Sequence, residues 1–377
     1  MKKKFFITTT IAPSLFFFKG QPRLWKEYFD VLAIANQKDR LTEFANEEGI
    51  NSLLIPMKRE ISPISDLICL LKFLWLFIKE RPFIVHGNTP KASMLSMFAA
   101  WLTRRPVRIY MCHGLRYQTT TGLTRKLLMA FEWLSCSCAT SVICVSNGVK
   151  DQLVKDHLCK SSKGRIVHYG TAGGIDTTFF SRESLSVEDR LGIPEDAFVF
   201  SFVGRVVRDK GVNELVKATD RLCKEGYNVY LLLIGSMEQS SDPIAESSLE
   251  IIRNNEHIMA LGRQQDVRPY LMCSDAFVLP SYREGVGQVL LEACSMGVPC
   301  IASNIIGCNE VIIPGVNGDL VSPHDEEALY VKMKEWLMNP SLVKTIANTC
   351  RDSITERFNR DDVCQAYLQV YKSYLNE

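Results

Sequence analysis

No two cysteines in the chain are separated by a pair of residues, although thirteen cysteines are present. Their number is odd and their spacing irregular, so neither a disulfide framework nor a zinc knuckle is implied, and the thiols read as reduced, which fits a cytoplasmic protein. Cys136 and Cys138, one residue apart, read as small apolar fillers. No apolar run reaches the roughly 20 residues that span a bilayer. The strongest, Leu67 to Ile78, is broken by Lys72 and reads as an amphipathic helix whose apolar side suits either core packing or a membrane surface. No signal peptide is expected either. Lys2, Lys3 and Lys4 precede an apolar run, but Thr8, Thr9 and Thr10 interrupt it and no small-residue cleavage pattern comes before Lys19, so residues 4–10 read as a buried strand. Neither a Gly-x-Gly-x-x-Gly fingerprint nor a loop ending in Gly-Lys-Ser/Thr occurs, which argues against a dinucleotide-dependent dehydrogenase and an ATPase. No basic low-complexity tail or recognisable nucleic-acid motif is present, and nucleic acid is not an expected partner.

What the chain does have is an uneven charge. Residues 1–180 carry 25 Lys plus Arg against 13 Asp plus Glu, a net of +12, and the remainder carries a net of −10. A basic half that also holds Trp25, Trp75, Trp101 and Trp133 suits an anionic membrane surface or an anionic lipid-linked substrate.

At 377 residues, 46% of them hydrophobic and 23% charged, the chain is too long for one core and reads as two globular domains. Both halves alternate apolar runs with amphipathic stretches. Strands are expected at Phe5–Thr9, Ser52–Ile55, Ile84–His86, Val107–Cys112 and Ser141–Val145, then at Phe198–Val203, Val229–Ile234, Ile258–Leu261, Ala276–Leu279 and Cys300–Ala302. Helical patterns fall between them, among them Leu95–Leu102, Leu123–Leu134, Asn213–Lys224, Gln288–Ser295 and Glu326–Met338. That alternation predicts an α/β fold with two Rossmann-like, doubly wound domains. A cluster of Gly170, Gly173, Gly174 and Pro194 places the junction between Gly170 and Asp196. The expected domains are 1–180 and 181–358, with a last helix in 359–377 that crosses back to the first domain.

The most informative stretch is 283–299, where Glu284 and Glu292 bracket a glycine-broken turn that runs into a short helix. The preceding run, 274–281, reads as a buried strand closed by a Pro-Ser turn, so Glu284 should lie at a strand's carboxyl end, where open α/β sheets bind ligands. Gly285 and Gly287 allow close approach of the backbone, and a helix starting near Gln288 would aim unpaired N–H groups and a positive dipole end at a diphosphate. Glu292, further along the helix, could accept hydrogen bonds from a ribose diol. A surface helix with two solvated glutamates fits the same stretch taken alone. A second element, Phe202 to Gly211, sets Arg205 and Lys210 on a glycine-flanked turn after a strand. Arg205 can take phosphate oxygens in a fork and Lys210 can act as a point charge; a solvated basic loop is the competing reading.

Together these elements resemble the family-four retaining glycosyltransferases of the GT-B fold, in which two glutamates are separated by seven residues. The first domain resembles the capsular and exopolysaccharide branch through Ile55-Pro56-Met57-Lys58-Arg59, Val85-His86-Gly87-Asn88-Thr89-Pro90-Lys91-Ala92, His113-Gly114-Leu115-Arg116 and Val145-Ser146. The resemblance implies that Gly204, Arg205, Lys210 and Gly211 bind the donor diphosphate, that Glu292 holds the ribose, and that Glu284 contacts the donor sugar. It further implies that backbone amides at Val286, Gly287 and Gln288 face sugar and phosphates, and that His113 stands near the anomeric centre in a crevice between the domains. Two departures stand out. Only Gly20 fills the place of the family's paired glycines, and Val286 stands where Phe is common.

The chain contains no Asp-x-Asp pair, the metal-holding motif of most GT-A transferases, so metal independence is expected, with Arg205, Lys210 and the Gln288 helix terminus in the metal's place. The expected reaction is transfer of a hexose or N-acetylhexosamine from a nucleotide sugar, UDP-linked as a first choice, to a polyprenyl-diphosphate-linked sugar or saccharide acceptor. No cofactor is expected. Gly20, Lys91, Arg104, Arg105 and Arg116 are acceptor-side candidates, and peripheral contact with the inner face of the cytoplasmic membrane would bring the enzyme to its acceptor. A sugar-nucleotide epimerase of the same architecture and a non-catalytic nucleotide-sugar-binding protein are the alternatives.

Overall fold

The computed structural model describes residues 1–185, 190–237 and 242–376. The chain divides into two compact units, Met1–Gly174 with Arg360–Glu377, and Ile175–Asn359. The expected junction region, 170–196, includes residues 186–189, which lie outside the described residues. The first unit ends at Gly174, a few residues before the expected boundary at 180, because Ile175 is already tied into the second. Its N–H donates to the Phe358 carbonyl at 2.8 Å.

The first unit contains strands β1 (Lys3–Ile11), β2 (Phe29–Asn36), β3 (Asn51–Leu54), β4 (Ile84–Gly87), β5 (Val107–Cys112), β6 (Ser141–Cys144) and β7 (Gly164–Ile166). They form one parallel sheet in the order β3-β2-β1-β4-β5-β6-β7. Its helices are α1 (Gln21–Trp25), α2 (Lys38–Glu48), α3 (Pro63–Glu80), α4 (Pro90–Leu102), α5 (Gly122–Cys138) and α6 (Asn147–Lys155). The second unit contains β8 (Phe198–Val203), β9 (Val229–Ile234), β10 (Ile258–Gly262), β11 (Ala276–Leu279), β12 (Cys300–Ser303) and β13 (Gly318–Val321), parallel in the order β10-β9-β8-β11-β12-β13. Helices α7 (Val212–Lys224), α8 (Glu246–Asn254), α9 (Arg268–Met272), α10 (Gln288–Ser295), α11 (Glu326–Met338) and α12 (Pro340–Phe358) flank that sheet, and α13 (Arg360–Ser373) belongs to the first unit. The expected α/β architecture of two doubly wound sheets is the one observed.

Central strands are buried on both faces, as parallel sheets require. Val199, Phe200, Leu231, Leu233, Phe277 and Leu279 are fully covered. Three strands carried no expectation from the sequence: β2, β7 and β13. The run Val31-Leu32-Ala33-Ile34-Ala35 suits a buried helix as well as a strand, while β7 has three residues and β13 four, too short for a period to show. All thirteen cysteines are free thiols, and Cys136 and Cys138 are buried as fillers.

α13 is anchored in the first unit through aromatic contacts. Tyr371 Oη lies 3.0 Å from His86 Nε2, and the Tyr371 ring meets Phe5 and Trp25 edge-on at 5.1 Å each. Burial, with the His113 ring adding to it, lowers the His86 pKa to about 3, so this imidazole is neutral. The apolar helix foreseen around Leu67–Ile78 is α3. It buries Cys69, Phe73, Leu76 and Phe77, and it leaves a second apolar stripe facing outward.

Candidate active site

The second sheet reverses direction beside β8. From β8 the chain moves outward through β9 and β10, then returns to the other side of β8 as β11 and continues through β12 and β13. Loops that leave neighbouring strands in opposite directions open a crevice at the carboxyl ends of those strands. β8 and β11 pair through Phe200 with Ala276 and Ser201 with Phe277, so the loops that follow them, 204–211 and 280–287, start side by side.

The first loop closes with a single tight turn, Arg208–Lys210, capped by Gly211 at φ 69°, whose N–H donates to the Arg208 carbonyl at 2.9 Å. A Cβ on Gly211 would stand 2.0 Å from the Pro280 carbonyl oxygen, so glycine is required both by the left-handed backbone and by contact with the second loop. The loops are tied at several points. The Tyr282 N–H and the Ser281 hydroxyl both donate to the Asp209 carbonyl, at 2.9 and 3.3 Å, and Arg283 Nη2 stands 3.4 Å from Asp209 Oδ2. Asp242 in turn accepts from Arg208 Nε at 2.7 Å and from the Asp209 N–H at 2.8 Å.

The outcome of this stitching is an ion pair between two candidate site residues. Lys210 Nζ donates to Glu284 Oε1 at 2.5 Å, with the two side chains only 20% and 13% exposed. Half-covered charges of this kind are retained only when paired, and removing one partner would strand the other. Gly285 and Val286 carry the chain from Glu284 to Gly287, which opens α10 without any side-chain cap. The Leu290 and Leu291 N–H groups donate to the Gly287 carbonyl at 2.8 and 3.3 Å, and the start of α10 carries the positive dipole end that favours anions. Gln288 is its first residue and Glu292 its fifth, half-buried and about 6 Å further along the axis. Gly204 and exposed Arg205 lie on the first loop, with the Gly204 N–H donating to the Ile234 carbonyl at 2.9 Å. All the expected donor-side residues thus lie on two adjacent loops and on α10, the helix that follows the second of them.

Sequence reasoning overlooked three contributors. Asp209 bridges the loops as described. Tyr282 donates its hydroxyl to Glu214 at 2.5 Å and stacks on His324 at 3.6 Å, and burial together with that carboxylate pushes the phenol above its ordinary range. Gly307, in the loop after β12, has φ 87°, and a Cβ there would meet the Gly285 carbonyl oxygen at 2.5 Å and the Val286 nitrogen at 3.1 Å. The available signal was a glycine just beyond a strand's carboxyl end. Next to it, Cys308 is fully buried; burial raises its thiol well above the usual range, the Glu284 charge adds to the shift and Lys210 opposes it.

The first unit's candidates come from the segments after β1, α4 and β5 and from the start of α4. His113 follows β5, and its ring packs against Phe17 and Phe18 at 5.9 Å each. Burial lowers its pKa to about 4, so at neutral pH it offers an uncharged hydrogen-bonding ring. Gly20 adopts φ 91°, and its N–H donates at 2.8 Å to Oε1 of fully buried Glu48, which also accepts from the Arg23 N–H. This bond fixes the turn at Gly20 within the unit. Lys91 likewise pairs with Asp66 at 2.8 Å, is 10% exposed, and also donates to the Glu60 carbonyl, so its ammonium links α4 to α3. Exposed Arg116 stands on the turn after Leu115; burial raises the Glu132 pKa, and the Arg116 charge partly opposes that rise. Arg105 is turned back on its own chain and donates to the Thr103 carbonyl at 2.9 Å. Among the described residues no group of three or more His, Cys, Asp or Glu side chains could hold a metal ion.

Known proteins resemble the chain in sequence and in fold. The family Glycosyl transferases group 1 matches residues 186–352, and Glycosyltransferase Family 4 matches residues 23–172. The capsular polysaccharide biosynthesis glycosyltransferase CapM of Staphylococcus aureus is 33% identical over 377 residues, 100% of this chain and 98% of that protein. An Escherichia coli UDP-Gal:α-D-GlcNAc-diphosphoundecaprenol α-1,3-galactosyltransferase is 27% identical over 342 residues, 88% of this chain and 86% of that protein. In structure, Anabaena Alr3699/HepE in complex with UDP and glucose superimposes with a TM-score of 0.80 at 17% identity, covering 98% of this chain and all of that one. The chain belongs to the family 4 glycosyltransferases of the GT-B fold, the group to which its paired glutamates and its two doubly wound sheets point.

Proposed function

We propose that this protein is a retaining glycosyltransferase that moves a hexose or N-acetylhexosamine from a UDP-linked donor to a lipid-linked or saccharide acceptor during assembly of a capsular or related surface polysaccharide. The observation that carries the reading is the meeting of Lys210, Glu284 and the start of α10 at the carboxyl ends of β8 and β11. The acceptor class is supported by the name of the Escherichia coli relative, which acts on a diphosphoundecaprenol-linked sugar, and the donor nucleotide by UDP in the Anabaena structure. The pathway is supported by the full-length likeness to CapM.

In this proposal the bond between the anomeric carbon and the diphosphate oxygen breaks, and its electron pair goes to the diphosphate. Arg205, Lys210 and the N–H groups of α10 stabilise the charge that develops there, in the place a metal takes in other transferases. Lys210 begins the cycle paired with Glu284, so donor binding divides the ammonium between carboxylate and phosphate and leaves Glu284 to hold sugar hydroxyls. Glu292 accepts from the ribose hydroxyls. The acceptor hydroxyl attacks from the face the leaving group departs, and its proton passes to the departing phosphate. His113, neutral at pH 7, positions the sugar by hydrogen bonding.

The test is transfer from an α-linked UDP-sugar in EDTA, with the anomeric configuration of the product read by NMR. An α product formed in EDTA is expected. A β product overturns retention, loss of transfer in EDTA overturns metal independence, and interconversion of UDP-sugars without acceptor would indicate an epimerase.

A further inference from the structure

The helices α3, α4 and α5 link strands that step in one direction across the first sheet, from β3 to β4, β5 and β6, so right-handed crossovers place all three on one face. They pack side by side, α3 against α4 and α4 against α5. The outer surface of this layer is unusually apolar. Ile64, Leu67, Leu71 and Trp75 of α3, Trp101 of α4 and Leu123 of α5 all face solvent, with exposures from 50% to 84%. On α3 these positions repeat at three- and four-residue steps, the mark of a helix face, and the opposite face already fills the core with Phe73 and Phe77. Folding of the first unit therefore leaves a second apolar stripe uncovered.

Charge selects what covers it. Lys72, Lys79, Arg104, Arg125 and Lys126 are exposed on or beside these helices, and Lys79 Nζ stands 4.8 Å from the Trp75 ring centroid. The acids of the three helices are spoken for: Asp66 pairs with Lys91 at 2.8 Å, Glu80 with Lys4 at 2.6 Å, and Glu132 is buried. A face that is apolar, rich in tryptophan and net positive would repel a second copy of itself and attract an anionic lipid surface, where Trp and Leu enter the headgroup boundary and Lys and Arg meet phosphates. The Asp66–Lys91 pair fixes α3 against α4, so the face is formed before any lipid is met.

We infer that the α3–α4–α5 face is a docking surface for an anionic bilayer, with α3 lying in the plane of the interface. The inference rests on the lipid-linked acceptor reading for its purpose, and its test needs neither donor nor acceptor. Full-length protein is floated with phosphatidylcholine vesicles with and without phosphatidylglycerol, and Trp fluorescence is recorded. Expected is binding to the anionic vesicles with a blue shift, at least about tenfold weaker for Leu67→Ser/Leu71→Ser/Trp75→Ser. Lys72→Glu/Lys126→Glu should keep the apolar stripe and lose most of the preference for phosphatidylglycerol. Thermal melts unchanged from wild type show that both variants fold, as substitution of exposed residues predicts. Wild-type protein that ignores anionic vesicles, or a serine variant that binds as well as wild type, overturns the inference. So does sedimentation showing a dimer that the serine variant dissolves, which would make a second copy the occupant. Vesicle binding that persists while no sugar transfer is found supports the surface and removes only the transferase reading.

Discussion

The two units are built on the same plan, each a parallel sheet flanked by helices, and they treat a covered carboxylate in opposite ways. In the second, Glu284 meets Lys210 at 2.5 Å, held by loops that hydrogen-bond to each other at Asp209, Ser281 and Tyr282. In the first, Glu132 is 4% exposed and receives a hydrogen bond from the Tyr110 hydroxyl at 2.5 Å; burial raises its pKa to about 7, with Tyr110 and the Arg116 charge opposing the shift. The second unit concentrates paired charge at the meeting of two strands, as a site for a charged nucleotide requires. The first scatters its candidates among internal partners and gives its outer helix layer to exposed apolar surface. One unit gathers its charge on two facing loops, and the other leaves apolar side chains on its outer helices.

The largest test of that contrast is a matched pair of substitutions. Glu292→Ala is expected to lower kcat/KM by about a thousandfold through loss of charge-assisted hydrogen bonds to the donor, whereas Arg116→Ala on the first unit should cost less than about tenfold. Steady-state kinetics with varied donor decide it, and equal losses would break the distinction between the units. The ion pair comes next. Lys210→Met leaves Glu284 half-buried and alone and should cost about 3 kcal/mol of stability in urea titration, while Lys210→Met/Glu284→Gln should recover much of the stability and none of the activity.

Glu132 supplies a pH test with a definite sign. Its pKa rises from an ordinary 4.5 to about 7 on folding, so the unfolded chain releases this proton first. The first unit therefore loses stability as pH rises from about 4.5 to about 7, by at most about 3 kcal/mol. Glu132→Gln should melt higher than wild type at pH 8 and differ little at pH 4.5; an advantage independent of pH would mean that the carboxyl is not held neutral. A more modest effect is expected from Gly307→Ala. Pushing Gly285 should reduce transfer by about tenfold with little change in circular dichroism, and full activity would show that the turn at Glu284 tolerates displacement.

Much of this molecule could be read in its sequence, and the parts that could not share a cause. β8, β9 and β11 run over the residues expected from their apolar runs, and α10 and α11 begin and end where the pattern put them. Periodicity reports which residues are buried locally, and these elements are decided locally. The contact between Lys210 and Glu284 joins residues 74 positions apart, and no spacing announces it. Gly307 matters because a loop from another strand passes 2.5 Å from where its Cβ would be, a property of the assembled sheet. Gly20 and Lys91 looked available for an acceptor because Glu48 and Asp66 are remote in sequence and become their partners only in the fold. The apolar run in α3 suited a core or a membrane surface, and the helix presents an apolar stripe on each side.

The measurement that reaches the central claim most directly is release of free nucleoside diphosphate from a panel of UDP-, GDP- and ADP-sugars in EDTA, with and without lipid-linked acceptor, for wild type and Glu292→Ala. Acceptor-dependent release from a single donor, abolished in the variant, is the predicted result. Tight UDP binding with no release from any donor would contradict it and leave a protein that binds the nucleotide and transfers nothing.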